Sequence, residues 1–147
     1  MDGENKLIIP ALGCIYRALG PLSYLGLRIA VGGVIMSHGY AKLFNGFAPM
    51  VAEKTLTPLG VPMPYAVADF LGCLELFGSA LLVIGLLTRP IALMLFVQFV
   101  VIAFGVQIPR GWSEGAEYVI VMMMTYAVFA ANGAGRYSVD RLIGKEF

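Results

Sequence analysis

The chain has 147 residues, 59% of them hydrophobic and only 13% charged, and its mean hydropathy is +0.84. Soluble domains carry about 25% charged residues, so these values exclude a water-soluble domain, and this much apolar side chain excludes disorder. Ten basic residues against nine acidic ones, with no basic stripe, leave no electrostatic footprint for nucleic acid.

Residues 1–21 read as an N-terminal interfacial segment. Asp2 and Glu4 occupy the place where a cleavable signal would carry basic residues, so the N-terminus is expected to stay on. Pro10 through Leu19 predicts a short amphipathic helix, with Leu12, Ile15, Tyr16 and Leu19 on one face, ended by Gly20-Pro21.

Residues 22–44 form the first candidate span, about 34 Å of helix at roughly 1.5 Å per residue, against a hydrocarbon core of about 30 Å. Gly26/Ala30 and Gly33/Ser37/Ala41 form stripes of small residues expected to admit a neighbouring helix. A linker over 45–63, rich in Gly and Pro, in which Ala48 to Thr55 can make a turn or two of helix, leads to the second span at 64–87. Thr88-Arg89-Pro90 reads as a tight connection to a third, charge-free span at 90–109, where Gln98 alone is polar at mid-depth. Trp112 suits the aromatic belt of the next loop. The fourth span covers 116–131, and a polar tail occupies 132–147. The fold class predicted is therefore all-α, an integral membrane four-helix bundle with a short N-terminal interfacial helix.

Four spans put both termini on one side. Lys6, Arg17, Arg89, Arg136, Arg141 and Lys145 fall there, against Lys42, Lys54 and Arg110 opposite, which predicts a multi-pass protein of a bacterial or archaeal cytoplasmic (inner) membrane with cytoplasmic termini.

Ionisable groups inside a membrane helix cost about 2.5–3.5 kcal/mol on insertion scales, so each needs a partner or a function. At about 100° per residue, Arg28, His38 and Lys42 share one face of the first span, and Asp69 and Glu75 share one face of the second with Gly72 and Ser79. Depth then predicts an outer cluster of His38, Lys42, Asp69 and Glu117, and a deeper Arg28–Glu75 pair. These six side chains are either structural ion pairs or a polar site. In the second case His38, Asp69 and Glu75 would serve a quinone headgroup or a proton relay, since histidine exchanges protons near neutral pH.

Cys14 and Cys73 lie in different apolar segments and read as two buried thiols acting as small hydrophobes. With a single histidine and no metal-ligand spacing, neither a metal site nor a covalently held cofactor such as haem is expected. Met122, Met123 and Met124 are consecutive and point around the helix, as packing residues do. No nucleophile-elbow, phosphate-loop, zinc-protease or dinucleotide motif occurs.

The ordered polar residues resemble the DoxX family of small four-helix membrane proteins. The resemblance rests on Arg28, Ser37-His38-Gly39-Tyr40-Ala41-Lys42-Leu43, Glu75 followed by Gly78, Gly85-Leu86-Leu87-Thr88-Arg89-Pro90, Glu117, and Gly133-Ala134-Gly135-Arg136-Tyr137-Ser138-Val139-Asp140. It implies a four-helix bundle in the cytoplasmic membrane and marks Arg28, His38, Lys42, Glu75 and Glu117 as the intramembrane polar set. Family members include a subunit of a thiosulfate:quinone oxidoreductase and membrane partners of redox-protective proteins. The resemblance thus implies a non-catalytic membrane subunit or anchor of a redox complex, an accessory to an oxidoreductase more than an enzyme by itself, with a quinone as the possible cofactor. Its expected partners are membrane lipid and other subunits, or further copies of the chain. A small-solute or proton-linked permease and a scaffold for a peripheral protein are the alternatives.

Overall fold

The computed structural model describes residues 9–111 and 115–145. All of their regular elements are helical. A single 3-10 turn at Pro10–Leu12 leads into α1, Gly13–Phe44; α2 follows over 47–56; α3 is Pro64–Ile84, α4 Thr88–Arg110, α5 Ala116–Asn132 and α6 Val139–Ile143. Three of these helices, α1, α3 and α4, are long and apolar enough to cross a membrane; α5 is a shorter apolar helix of 17 residues. Trp112 and Lys6 lie outside the described residues.

The break expected at Gly20-Pro21 is absent. Helix α1 runs through it for 32 residues with Pro21 inside. Proline removes one backbone donor, a loss that membrane helices tolerate. At roughly 1.5 Å per residue α1 is about 48 Å long, so it tilts or projects beyond the hydrocarbon region. The interfacial lead-in is therefore the first turns of the first span and not a separate helix. The connection between the second and third spans also sits earlier than expected. Its turn is Gly85-Leu86-Leu87, while Thr88, Arg89 and Pro90 open α4, where a first-turn proline sacrifices no hydrogen bond.

The bundle is two helix pairs. Helix α1 lies along α3, α4 packs most extensively against α5, and the short α2 folds over the C-terminal part of α1 and the N-terminal part of α3. Between the pairs lies a core of Val31, Ile35, Leu82, Leu95, Phe99 and Phe129, all buried. Helix α2 has its own small cluster, Ala48, Ala52 and Leu56 against Ala68 of α3. Large apolar side chains cover the outside, among them Phe70, Phe77, Leu93, Phe104 and Val121, as expected where the solvent is lipid.

The stripes of small residues are not the packing face. A Cβ added at Gly26 or Gly33 would meet nothing within 4 Å. The close approach uses other glycines: a Cβ at Gly39 would lie 2.8 Å from backbone atoms of both Glu75 and Gly72, and closer still to Leu76 N. The buried ridge of α1 is Arg28, Val31, Gly32, Ile35 and Gly39, spaced at three and four residues, as a helix–helix seam requires.

Candidate functional site

At Gly39 the backbones of α1 and α3 touch, and that contact positions Lys42 one turn further along α1. The Lys42 ammonium forms an ion pair with the Glu75 carboxylate, and the Gln98 amide of α4 donates to the same oxygen, Oε1. Glu75 is 3% exposed and stands in a π-helical turn, Leu74–Gly78, inside α3. Such wide turns shift the phase of a helix and recur at functional sites. Two acceptors in this group, Glu75 Oε2 and Gln98 Oε1, are buried without a hydrogen-bond partner among the described residues. Deeper in the bundle, the buried Tyr126 hydroxyl of α5 lies beside Ser79 and within electrostatic reach of Glu75.

The group borders a cavity of about 740 Å³ between α2, α3 and α4. Its walls are apolar, with Leu56, Leu71, Leu74, Met94 and Ile102 among them, and Lys42 and Gln98 supply polar atoms. Gln107 and Arg110 line it farther along α4, about 14 and 18 Å from Gln98 at roughly 1.5 Å per residue. Phe70, Leu93 and Val97 of the lining are themselves exposed, so the cavity opens sideways to lipid between α3 and α4. A mostly apolar pocket with a few convergent polar groups suits one amphiphilic molecule.

Of the six residues singled out by sequence, the structure brings together only Lys42 and Glu75. Arg28 does not reach Glu75. It is 1% exposed, and its guanidinium donates to the carbonyls of Val83, at 3.3 Å, Ala134 and Tyr137. These carbonyls lie at or beyond the C-terminal ends of α3 and α5, where helices leave acceptors unsatisfied, and the five donors of arginine suit several at once. His38 lies at the rim of the buried ridge and is exposed; Asp69 and Glu117 are exposed as well. The outer cluster of His38, Lys42, Asp69 and Glu117 is therefore not assembled: Lys42 turns inward to Glu75, and neither His38 nor Asp69 lines the cavity. Cys14 and Cys73, expected to be buried, are free and exposed, because the outer face of a membrane helix is itself apolar surroundings.

Gln98 is a site residue beyond the six expected from the sequence, and its signal there is that of a single polar side chain at mid-depth of a charge-free span. Asp140 is also beyond those six. Its two carboxylate oxygens accept from the Leu87 and Thr88 amides at 2.9 and 3.1 Å, which holds the α3–α4 turn, where Gly85 and Leu87 take φ of +75° and +52°. Tyr24 adds a 2.7 Å bond to the Gly133 carbonyl. Arg28, the Gly85–Arg89 segment and the Gly133–Asp140 segment are thus one clasp that fastens the chain after α5 to the end of the α1–α3 pair. That role is structural.

Relatives support the membrane reading. The chain is 27% identical to an uncharacterized membrane protein of Mycobacterium tuberculosis over 92% of this chain and 90% of the relative. It is 27% identical to an uncharacterized protein of Haemophilus influenzae over 82% of this chain and 90% of that one. No solved structure matches at a significant level. The DoxX family profile matches residues 23–108, more than half of the chain and nearly the whole of the region from α1 through α4 that builds the cavity. The chain belongs to the DoxX family.

Proposed function

We propose that this DoxX protein is a membrane subunit of a redox complex and contributes a quinone-binding site at Lys42, Glu75 and Gln98. The carrying observation is the apolar cavity that presents Lys42 and Gln98, both bonded to the buried Glu75. The residues fit such a ligand. Lys42 and Gln98 line the cavity and can donate to a carbonyl oxygen of the headgroup, Gln98 Oε1 remains open to accept from a hydroxyl, and Glu75, behind the lining, holds both donors in place. The apolar walls take the isoprenoid chain and exclude water.

A bound quinone supplies two-electron, two-proton chemistry. Glu75 holds or releases a proton at Oε2, and Lys42 keeps its charge compensated. This reading assigns electron delivery to a partner subunit. The positive-inside distribution supports a cytoplasmic membrane with both termini inside.

The test is to purify the protein in mild detergent from its native membrane, extract lipophilic molecules from the same sample and identify co-purifying proteins. Near-stoichiometric quinone in the wild type, lost in Glu75→Gln, is the expected result. A wild-type protein that neither retains quinone nor binds an added short-chain quinone sinks the reading.

A further inference from the structure

The chain after α5 carries a second polar hollow, of about 360 Å³, bordered by Gly135, Arg136, Asp140, Arg141, Gly144 and Lys145. We propose that it binds a phosphate group, and that the group is the headgroup of an anionic phospholipid. This site is independent of the quinone reading and lies on other residues.

The first argument is charge. Arg136, Arg141 and Lys145 are exposed, and no other described residue is an ion-pair partner to them. Against these three cations stands one carboxylate, Asp140, and both of its oxygens already accept from the Leu87 and Thr88 amides. Guanidinium forks match phosphate oxygens in geometry as well as in charge.

The second argument is preorganisation. The helix α6 that bears Arg141 is capped at both ends: Ser138 Oγ accepts from Arg141 N at 3.3 Å, and past Gly144 the Lys145 amide returns to the Asp140 carbonyl at 3.2 Å. That second bond belongs to a glycine-terminated helix end. Asp140 at 2% exposure anchors the segment to the bundle, and Arg28 clamps the Tyr137 carbonyl just before it. The backbone that carries the three cations is therefore held in place before any anion arrives.

The third argument separates a lipid from a free ion. Leu142 is 87% exposed and Ile143 56%, beside Tyr137 at 46%. Leaving such side chains in water on a rigidly capped turn is unfavourable, whereas acyl chains next to a bound headgroup would cover them. Cations at the rim with apolar side chains beside them are the chemistry of an anionic phospholipid.

The experiment uses the full-length protein in detergent, with thermal unfolding and native mass spectrometry in the presence of phosphatidylglycerol, phosphatidylcholine of the same acyl chains, or inorganic phosphate. Phosphatidylglycerol should stabilise the protein and stay bound in preference to phosphatidylcholine. Each cation near an anionic lipid surface contributes about fivefold in affinity, so R136Q/R141Q should lower the phosphatidylglycerol affinity on the order of 25-fold while its unfolding temperature in phosphatidylcholine stays at the wild-type value. If that double variant does not fold, the single variant K145Q is read for its about fivefold loss. Equal binding of the two lipids, undiminished binding in the variants, or stabilisation by inorganic phosphate alone overturns the proposal.

Discussion

Lys42 and Glu75, 33 residues apart in the chain, form their ion pair across the α1–α3 contact at the level where Gly39 meets the backbone of Gly72 and Glu75. Glycine is required there because any Cβ at position 39 would enter the space of the opposing backbone. The pair therefore depends on the helix contact as much as on charge.

Gly39→Ala is expected to force α1 and α3 apart. The clash is with backbone atoms, which cannot rotate away, so the loss should be at least the 1–3 kcal/mol or so typical of an overpacked core. Gly33→Ala meets nothing within 4 Å and should leave stability unchanged or slightly higher. Thermal unfolding of the two variants in one detergent compares them directly.

Removing one member of a buried ion pair strands the other, at a cost of about 3–5 kcal/mol. Lys42→Met should thus be strongly destabilised, since it leaves Glu75 with only the Gln98 amide. The double variant K42M/E75Q should recover much of that loss. A double variant as unstable as the sum of its parents would show that the two side chains do not interact.

His38 is exposed and outside the cavity lining, whereas Glu75 is bonded to two lining residues, Lys42 and Gln98. His38→Ala should therefore leave quinone retention and unfolding temperature at wild-type values, whereas Glu75→Gln should abolish retention. Loss of retention in H38A with stability intact would move the site away from the Lys42–Glu75–Gln98 group.

Asp140→Ala deprives two amides of their acceptor, at 2.9 and 3.1 Å in the native protein. Loss of a cap of this type costs about 1–2 kcal/mol, and the release should appear as faster proteolysis after Gly133. Arg28→Lys should show the same phenotype, because an ammonium cannot span the three carbonyls that the guanidinium holds.

Cys73 is exposed on α3, with the apolar span on either side of it. In intact membranes it should react with a membrane-permeant apolar maleimide and resist a charged, water-soluble one. Equal labelling by both reagents would place that face of α3 in water.

Hydrophobic run length and the cost of a charge in lipid are local properties, readable one segment at a time. The membrane class, the helical bundle and the need of Lys42 and Glu75 for partners follow from the sequence in that way. The same holds for the family resemblance, because its short motifs are contiguous in the chain.

Which charge meets which was decided only by the tertiary structure. A wheel at 100° per residue assumes uniform helices, yet α3 carries a π-helical turn at Leu74–Gly78 that breaks the phase between Asp69 and the residues after it. Nor does charge set the rotation of α1 against α3: Gly32 and Gly39 do, by permitting contact on one face, and that contact leaves Gly26, Gly33 and His38 outside. Arg28 lies on the same helix as Lys42, but it is captured by carbonyls from α3 and from the chain after α5, more than 50 residues away. No local pattern encodes such partners, because they exist only once the helix ends have come together.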